Sequence, residues 1–231
     1  MTTFYWIILC ILFAGILSAA TAHVFYGWGR ADRERDKKRF ESGRRIHWPA
    51  WFAVVDVETT SLDEQRGSLV SIGAVHPLTG ASFYGQCRVR PDALIESDAM
   101  AVNMADWLED PRLPTEGELV EKFARWAELR GVRLIGGKNP TFDVRWLFAA
   151  HKRAGSPNKL SFTHRTLDLH SLALAWALVY RPVALTAEGF KTDDVYRLLG
   201  LPEEPRPHNA LTGARMETEA FKVILERGGV L

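Results

Sequence analysis

The hydrophobic pattern of the chain predicts strands first and alternating helices and strands afterwards. The first strand ends in Val54-Val55-Asp56-Val57-Glu58-Thr59-Thr60, and further strands are predicted at residues 70–75, 83–89, 132–135 and 166–169. Apolar residues recur with helical spacing after residue 143 and again from residue 210 to 225. This order indicates a mixed α/β sheet. The part of the chain that carries these elements, about 180 residues, is long enough for one such domain with a good core.

A separate apolar segment lies at the start of the chain. Residues 1–29 contain no Asp, Glu, Lys or Arg, and Phe4–Ala22 is apolar over 19 residues. A helix rises about 1.5 Å per residue, so this length crosses a bilayer. We therefore predict a transmembrane anchor within residues 1–29, which contacts the lipid bilayer through residues 4–22. A cleaved signal peptide is the alternative, because Ala20-Thr21-Ala22 resembles a cleavage site.

Charge predicts how this anchor is oriented. Residues 30–48 are interpreted as a basic juxtamembrane linker, in which Arg30–Arg45 holds eight Lys or Arg and four Asp or Glu. Positive charge stays on the cytoplasmic side of a membrane. The prediction is a single-pass protein of a bacterial-type inner (plasma) membrane, with residues 49–231 in the cytoplasm. Without the basic run the rest of the chain carries −3, which argues against a strongly basic duplex-binding surface.

The first candidate site is the acidic pair at the end of the first strand. Side chains alternate along a strand, so Asp56 and Glu58 point to one side and Val55 and Val57 to the other. Two neighbouring carboxylates repel each other, and burying them is costly unless a cation lies between them. The pair therefore indicates a divalent metal site, and a solvated strand end is the alternative.

Two further segments carry candidate chemistry. Asp143 follows Gly136-Gly137-Lys138-Asn139-Pro140-Thr141-Phe142, where a predicted strand gives way to a helix. An acid in the first turn of a helix also complements the helix dipole, so Asp143 alone does not indicate a functional site. The third segment is His208-Asn209-Ala210-Leu211-Thr212-Gly213-Ala214, at the start of the last predicted helix.

In this order, Asp-x-Glu-Thr-Thr, Asn-x-x-Phe-Asp and His-x-Ala resemble the motifs of the DEDDh (DnaQ-like, proofreading-type) 3′–5′ exonucleases. The resemblance covers most of residues 51–227. It implies a ribonuclease-H-like fold, with three leading antiparallel strands followed by parallel ones. Residues 49–231 are accordingly predicted to be an exonuclease-like domain that acts on single-stranded DNA or RNA 3′ ends or on short oligonucleotides.

The resemblance also implies how the site works. Hard carboxylate oxygens suit Mg²⁺ or Mn²⁺ rather than zinc, and the family uses two such ions. Asp56 would bridge both ions, Glu58 would bind the ion on the nucleophile side and Asp143 the other, and His208 would be the general base. The implied substrate contacts are Thr59, Thr60, Leu62, Asn139 and Phe142.

One position departs from the family pattern. Gly213 stands where the family has its last Asp ligand. Glu217 lies one helical turn further on the same face, and helical side chains lean toward the N-terminus. We expect Glu217 to be the fourth carboxylate, on the same ion as Glu58, with Gly213 leaving room for it. The alternatives are an exposed Glu217, and a catalytically weakened relative that binds nucleic-acid ends or a protein partner at the membrane.

Overall fold

The computed structural model describes residues 46–99, 110–156, 159–180 and 192–228. All of them belong to a unit that spans Ile46–Leu231. The predicted anchor at residues 4–22, its signal-peptide alternative and the basic run at residues 30–45 lie outside the described residues. Within the described part of the chain, no helix is both long enough and apolar enough to cross a membrane.

The described elements form one five-stranded sheet with helices on both faces. In chain order they are β1 (Phe52–Thr59), β2 (Leu69–His76), β3 (Ala81–Gln86), α1 (Glu116–Leu129), β4 (Leu134–Gly137), α2 (Pro140–Arg153), β5 (Thr166–Asp168), α3 (Leu169–Tyr180), α4 (Thr192–Leu199) and α5 (Ala210–Gly228). The strand order is β3-β2-β1-β4-β5. The first three strands pair antiparallel, and β4 and β5 join parallel to β1. The predicted mixed sheet is confirmed.

Two predicted strand boundaries differ from the structure. The third strand was expected to reach residue 89 but ends at Gln86, because the Arg88 N–H turns away and donates to the Pro114 carbonyl at 3.0 Å. The strand expected at residues 132–135 is Leu134–Gly137. Val132 lies in the turn that follows α1, where its N–H donates to the Ala127 carbonyl at 2.9 Å.

The alternating residues of β1 divide the core into two layers. Val55 and Val57 belong to a buried cluster on one face, together with residues of α1 and α2. Phe52 and Val54 belong to a second cluster on the other face, with residues of α3, α4 and α5. The ring of Phe221 on α5 meets that of Phe52 edge-on, with centroids 5.8 Å apart. Because both faces of β1 are covered, its carboxyl end is held rigidly between the layers.

The start of α5 is attached to the sheet by specific contacts. Asn209 caps the helix, since its side-chain oxygen accepts from the N–H groups of Leu211 and Thr212. Its amide group donates to the Tyr84 hydroxyl on β3 at 2.8 Å. Gly73 on β2 allows this close approach, because a Cβ there would overlap the backbone of Ala210. The residue before the cap, His208, is thereby held near the end of β1.

Candidate metal centre

The acidic pair lies near the end of β1, as the alternation predicts. Asp56 and Glu58 are partly exposed, whereas Val55 and Val57 are buried on the other face. Directly after Glu58 the pairing of β1 with β2 shifts its register. Both carboxylates therefore point out of one side of the sheet at the place where the regular ladder ends.

Asp143 reaches the same strand from the first turn of α2. Pro140 begins this helix, and Asn139 before it has a left-handed backbone with φ of 55°. The Asp143 side chain is only 3% exposed, and its Oδ1 accepts a 2.9 Å hydrogen bond from the Val57 N–H. This bond aligns the helix with β1 and brings a third carboxylate to the acidic pair.

Glu217 is a buried acid and not a solvated residue of the last helix. It is 3% exposed and accepts a hydrogen bond from the Lys138 backbone N–H. Its Oε2 lies 3.1 Å from the place that a Cβ on Gly137 would occupy, and has no hydrogen-bond partner among the described residues. Glu217 thus adds a fourth carboxylate, at the end of β4.

The space beside Gly213 is filled differently from what the sequence led us to expect. A Cβ at Gly213 would overlap Asp56 Oδ2 and would lie 3.2 Å from Glu204 Oε1. These two residues provide its three nearest atoms, so the expectation that Gly213 makes room for Glu217 is wrong. Helix geometry alone does not reveal this, because Glu204 arrives from the segment before the helix.

His208 lies beside these acids with a partly exposed imidazole. Its Nδ1 is 3.8 Å from Glu204 Oε2. One ligand atom each from Glu58, Glu204 and His208 lies within 4.8 Å of the others. This spacing is compatible with a common divalent ion, since ligand oxygens lie about 2.0–2.6 Å from Mg²⁺ or Ca²⁺.

Burial, together with repulsion between neighbouring acids, raises the pKa values of the carboxyl groups at this site. Burial, and then repulsion from neighbouring acids, raises the pKa of Glu58 to about 8. Burial is also the largest cause that raises the pKa of Asp143 to about 7, against the hydrogen bond from Val57. For Asp56 and Glu217, burial comes first and nearby carboxylates second, and the pKa of each lies well above its usual range.

The strongest repulsion comes from a different neighbour for Glu58 than for Glu217. The largest repulsion that raises the pKa of Glu58 comes from Glu204, whereas for Glu217 it comes from Asp143. Lys138 acts in the opposite direction, since its positive charge lowers the pKa of Glu58, Asp143 and Glu217. The sequence suggests an exposed loop lysine, but Lys138 is half-buried, with Nζ 5.8 Å from the centre of the Tyr196 ring.

The residues present fit a divalent cation. Glu204 Oε1 and Glu217 Oε2 are buried without a hydrogen-bond partner among the described residues. A buried carboxylate oxygen without a partner costs free energy that a bound cation offsets. Carboxylate oxygens match Mg²⁺ or Mn²⁺ better than softer metals. The site can therefore hold a divalent metal ion.

Most of the predicted substrate contacts line two adjoining cavities. One, of about 630 Å³, is lined in part by Glu58, Thr59, Leu62 and Phe142. The other, of about 490 Å³, is lined in part by Asp56, Leu62, Asn139, Phe142 and Asp143. Leu62 borders both cavities and is 77% exposed, as an apolar surface available to a ligand would be.

Thr60 requires a correction. Its side chain is fully buried, and its hydroxyl donates to the Leu94 carbonyl at 2.7 Å and accepts from the Ser68 N–H at 2.9 Å. The Thr60 hydroxyl therefore holds the turn after β1 and lines neither of these two cavities. The prediction that this hydroxyl contacts the substrate is wrong, because its hydrogen bonds are made within the fold.

Sequence reasoning also missed Asp168, the last residue of β5. Its Oδ1 accepts from the N–H groups of Asn139 and His170, and its Oδ2 accepts from Ser171. Burial raises the pKa of Asp168, but these hydrogen bonds together bring it below its usual value. Asp168 thus caps α3 and holds the loop that carries Asn139. The available signal in the sequence was an Asp with Ser171 three positions later, which is typical of a residue that caps the start of a helix.

The chain matches no protein-family model and no curated protein sequence. Solved structures do match. Exonuclease I from E. coli in complex with a dT13 oligonucleotide gives a TM-score of 0.60 at 18% identity, over 76% of this chain and 41% of exonuclease I. Cell-death related nuclease 4 (CRN-4) gives a TM-score of 0.59 at 15% identity, over 77% of this chain and 64% of CRN-4.

A third match is the nuclease domain of 3′hExo, a DEDDh family member, bound to rAMP. Its TM-score is 0.57 at 12% identity, over 80% of this chain and 96% of that domain. The chain spans less than half the length of exonuclease I but nearly all of the 3′hExo nuclease domain. The likeness defines the class of fold: a ribonuclease-H-like mixed sheet, as in these nucleases.

Proposed function

We propose that the chain is a metal-dependent 3′–5′ exonuclease that hydrolyses phosphodiester bonds from the 3′ end of single-stranded DNA or RNA, or of short oligonucleotides. The observation that carries the proposal is the convergence of acids on His208 at one end of β1. These acids are Asp56, Glu58 and Asp143 of the motifs, together with Glu217. The oligonucleotide in the exonuclease I complex and the rAMP in the 3′hExo domain support a nucleic-acid substrate.

The chain's own residues supply binding and proton transfer. Asp56, Glu58, Asp143 and Glu217 would hold Mg²⁺ or Mn²⁺, and two such ions, when bound, lower the pKa of a water and stabilise the leaving 3′-oxygen. His208 accepts the proton of the attacking water. Its Nδ1 lies 3.8 Å from Glu204 Oε2, so the imidazole lies beside the carboxylates that would hold the ions.

The two cavities supply a place for the terminal nucleotide. Leu62 and Phe142 border both of them, so a base can pack against apolar surface next to the carboxylates. Thr59 borders the larger cavity. A pocket with both apolar and charged walls suits a nucleotide, whose base is flat and whose phosphate needs a cation to approach these acids.

Tethering to a membrane belongs to the proposal on the strength of the sequence alone. The apolar run at residues 4–22 and the basic run after it support a single-pass anchor with the nuclease domain in the cytoplasm. A phosphatase reporter that is active only outside the cytoplasm, fused after Leu231, is expected to stay silent. An active reporter would contradict the orientation, and a mature N-terminus after Ala22 would establish the signal peptide.

The nuclease assay uses the full-length chain in mild detergent with 5′-labelled single strands of DNA and RNA. With Mg²⁺ or Mn²⁺ we expect a ladder that shortens from the 3′ end, and a 3′-terminal phosphorothioate linkage should delay it. EDTA and Asp56→Asn should each abolish it. Glu219→Gln, on the exposed side of the same helix as Glu217, is the matched control and should cut normally.

The second candidate function is a weakened relative that binds nucleic-acid ends or a protein partner without cutting. Gly213 favours it, because the usual acid is missing there. It predicts that labelled strands bind the wild-type chain but are not shortened with either metal. That result would overturn the enzyme proposal.

A further inference from the structure

We propose that Glu204 is a ligand of the divalent cation at this site and supplies the carboxylate that Gly213 lacks. This inference rests on the proposed metal-dependent function and extends it to a residue outside the three motifs. Glu204 lies in the segment between α4 and α5, four residues before His208.

The two neighbouring acids of this segment have opposite environments. The Glu203 side chain is 69% exposed and lies 3.5 Å from Arg197, as an ordinary surface acid does. The Glu204 side chain is 8% exposed and is turned toward β1 and α5. Burying a carboxylate is costly, so this orientation requires a compensating charge.

The carboxylate of Glu204 occupies the place beside Gly213 where a side chain would begin. Its Oε1 lies 3.2 Å from the position of a Cβ on Gly213, and Asp56 Oδ2 would overlap that Cβ. An acid at position 213 would therefore compete with both carboxylates for the same space. Because Gly213 has no side chain, the carboxylate of Glu204 can lie against Asp56.

The carboxylate oxygens of Glu58 and Glu204 have the spacing that a single ion requires. Oxygens of Glu58 and Glu204 and a nitrogen of His208 lie within 4.8 Å of one another. Glu204 Oε1 has no hydrogen-bond partner among the described residues. The contact of Oε2 with His208 Nδ1 is 3.8 Å, which is too long for a hydrogen bond. A cation shared with Glu58 would compensate the charge.

Glu204 and Glu217 approach the site from different sides. Glu217 lies against Gly137 at the end of β4, whereas Glu204 lies against Gly213 and next to Glu58. We therefore assign Glu204 to the ion that Glu58 binds. Glu217 then belongs beside Asp143 rather than with Glu58, contrary to the division that the family resemblance implies.

The test measures Mn²⁺ binding to the full-length chain from the EPR signal of free Mn²⁺, together with melting temperatures in EDTA and in Mn²⁺. Glu204→Gln should weaken Mn²⁺ binding at least about tenfold and reduce the rise in melting temperature on adding Mn²⁺. Its melting temperature in EDTA should not fall, because a buried charge is removed. Glu203→Gln, the matched control, should behave as the wild type does.

Wild-type Mn²⁺ affinity in Glu204→Gln would overturn the inference. If that variant does not fold, Glu204→Asp replaces it, with the same charge and a shorter reach; unchanged affinity would again overturn the role of Glu204. Asp56→Asn separates the two proposals. If it loses Mn²⁺ while Glu204→Gln keeps it, only the role of Glu204 fails. If the wild type binds no Mn²⁺, the metal centre fails as well.

Discussion

The backbone N–H of Val57 donates a 2.9 Å hydrogen bond to the carboxylate of Asp143. The parallel pairing of β1 with β4 covers residues 52–54, so Val57 lies beyond it. Asp143 replaces the missing strand partner and joins the start of α2 to the acidic end of β1. A residue of the proposed metal site is therefore also part of the fold's hydrogen-bonding network.

This double role predicts different results for two substitutions of Asp143. Asp143→Asn keeps an oxygen that can accept from Val57, so the melting temperature in EDTA at pH 5 should stay near that of the wild type. Asp143→Ala leaves a buried N–H without a partner and should lower the free energy of unfolding by about 1–3 kcal/mol. Both should reduce nuclease activity more than about tenfold. Normal activity of Asp143→Asn would remove Asp143 from the site.

The metal-free domain should lose stability as pH rises from about 5 to 8. The pKa of Glu58 is about 8 and that of Asp143 about 7 in the fold, above their usual values. In this range the folded state keeps protons that the unfolded chain has released. Stability should therefore fall with rising pH, by about 1.4 kcal/mol per pH unit for each such carboxyl, and this contribution is fully favourable only below the unfolded-state pKa.

Melting in EDTA between pH 5 and pH 8 measures this dependence. The double substitution Glu58→Gln with Asp143→Asn should give a shallower slope, because neither side chain then titrates. Mn²⁺ should raise the melting temperature most at pH 8, where more of the carboxyls are ionised. A melting temperature in EDTA that rises over this range would contradict the assigned direction of these shifts.

Gly213→Ala should impair the site, although alanine favours a helix by up to about 1 kcal/mol over glycine. The added Cβ overlaps Asp56 Oδ2 and must displace that carboxylate. We expect the rise in melting temperature on adding Mn²⁺ to shrink and nuclease activity to fall at least about tenfold. Ser171→Ala on α3 changes only a cap and should retain Mn²⁺ binding. Wild-type Mn²⁺ binding by Gly213→Ala would show that the space tolerates a side chain.

Glu217→Gln should reduce nuclease activity and Mn²⁺ affinity by more than about tenfold. In EDTA at pH 8 it should raise the melting temperature, because it removes a carboxyl that burial and neighbouring acids keep difficult to ionise. Glu219→Gln, at an exposed position two residues further, should change neither quantity. Equal activity of the two variants would show that the site does not use Glu217.

Leu62→Ala tests the cavities next to the metal centre. Leu62 borders both and is 77% exposed, so its loss should leave the fold intact. Loss of about 1–2 kcal/mol of apolar contact with the terminal nucleotide should raise KM roughly five- to thirtyfold, with a smaller change in kcat. Leu129→Ala, at an exposed position at the end of α1, should leave KM unchanged. A Leu62 variant with unchanged KM would place the nucleotide elsewhere.

Local patterns were sufficient for the five strands, for the two helices that carry Asp143 and Glu217, and for the main acids of the site. Strand periodicity places Asp56 and Glu58 on one side of β1, and a proline followed by helical spacing places Asp143 in the first turn of α2. The side of a strand or the turn of a helix on which a residue lies depends on residues nearby in the chain, because the backbone geometry fixes their relative positions. The mixed sheet followed from the order of such elements.

Contacts between residues far apart in the chain could be identified only from the folded structure. Thr60 was expected to face a substrate, but its hydroxyl bonds to Leu94 across a distant loop. Glu204 belongs to no motif and is separated from Glu58 by 146 positions of the chain. In the fold, oxygens of the two carboxylates nevertheless lie within 4.8 Å of each other.

The sequence by itself therefore determined four residues that could bind a metal, Asp56, Glu58, Asp143 and Glu217, and the elements on which they lie. Only the tertiary structure decided which carboxylate lies beside Gly213. That choice depends on how α5 and the segment before it pack over β1, and no local pattern of residues encodes the packing of two distant segments.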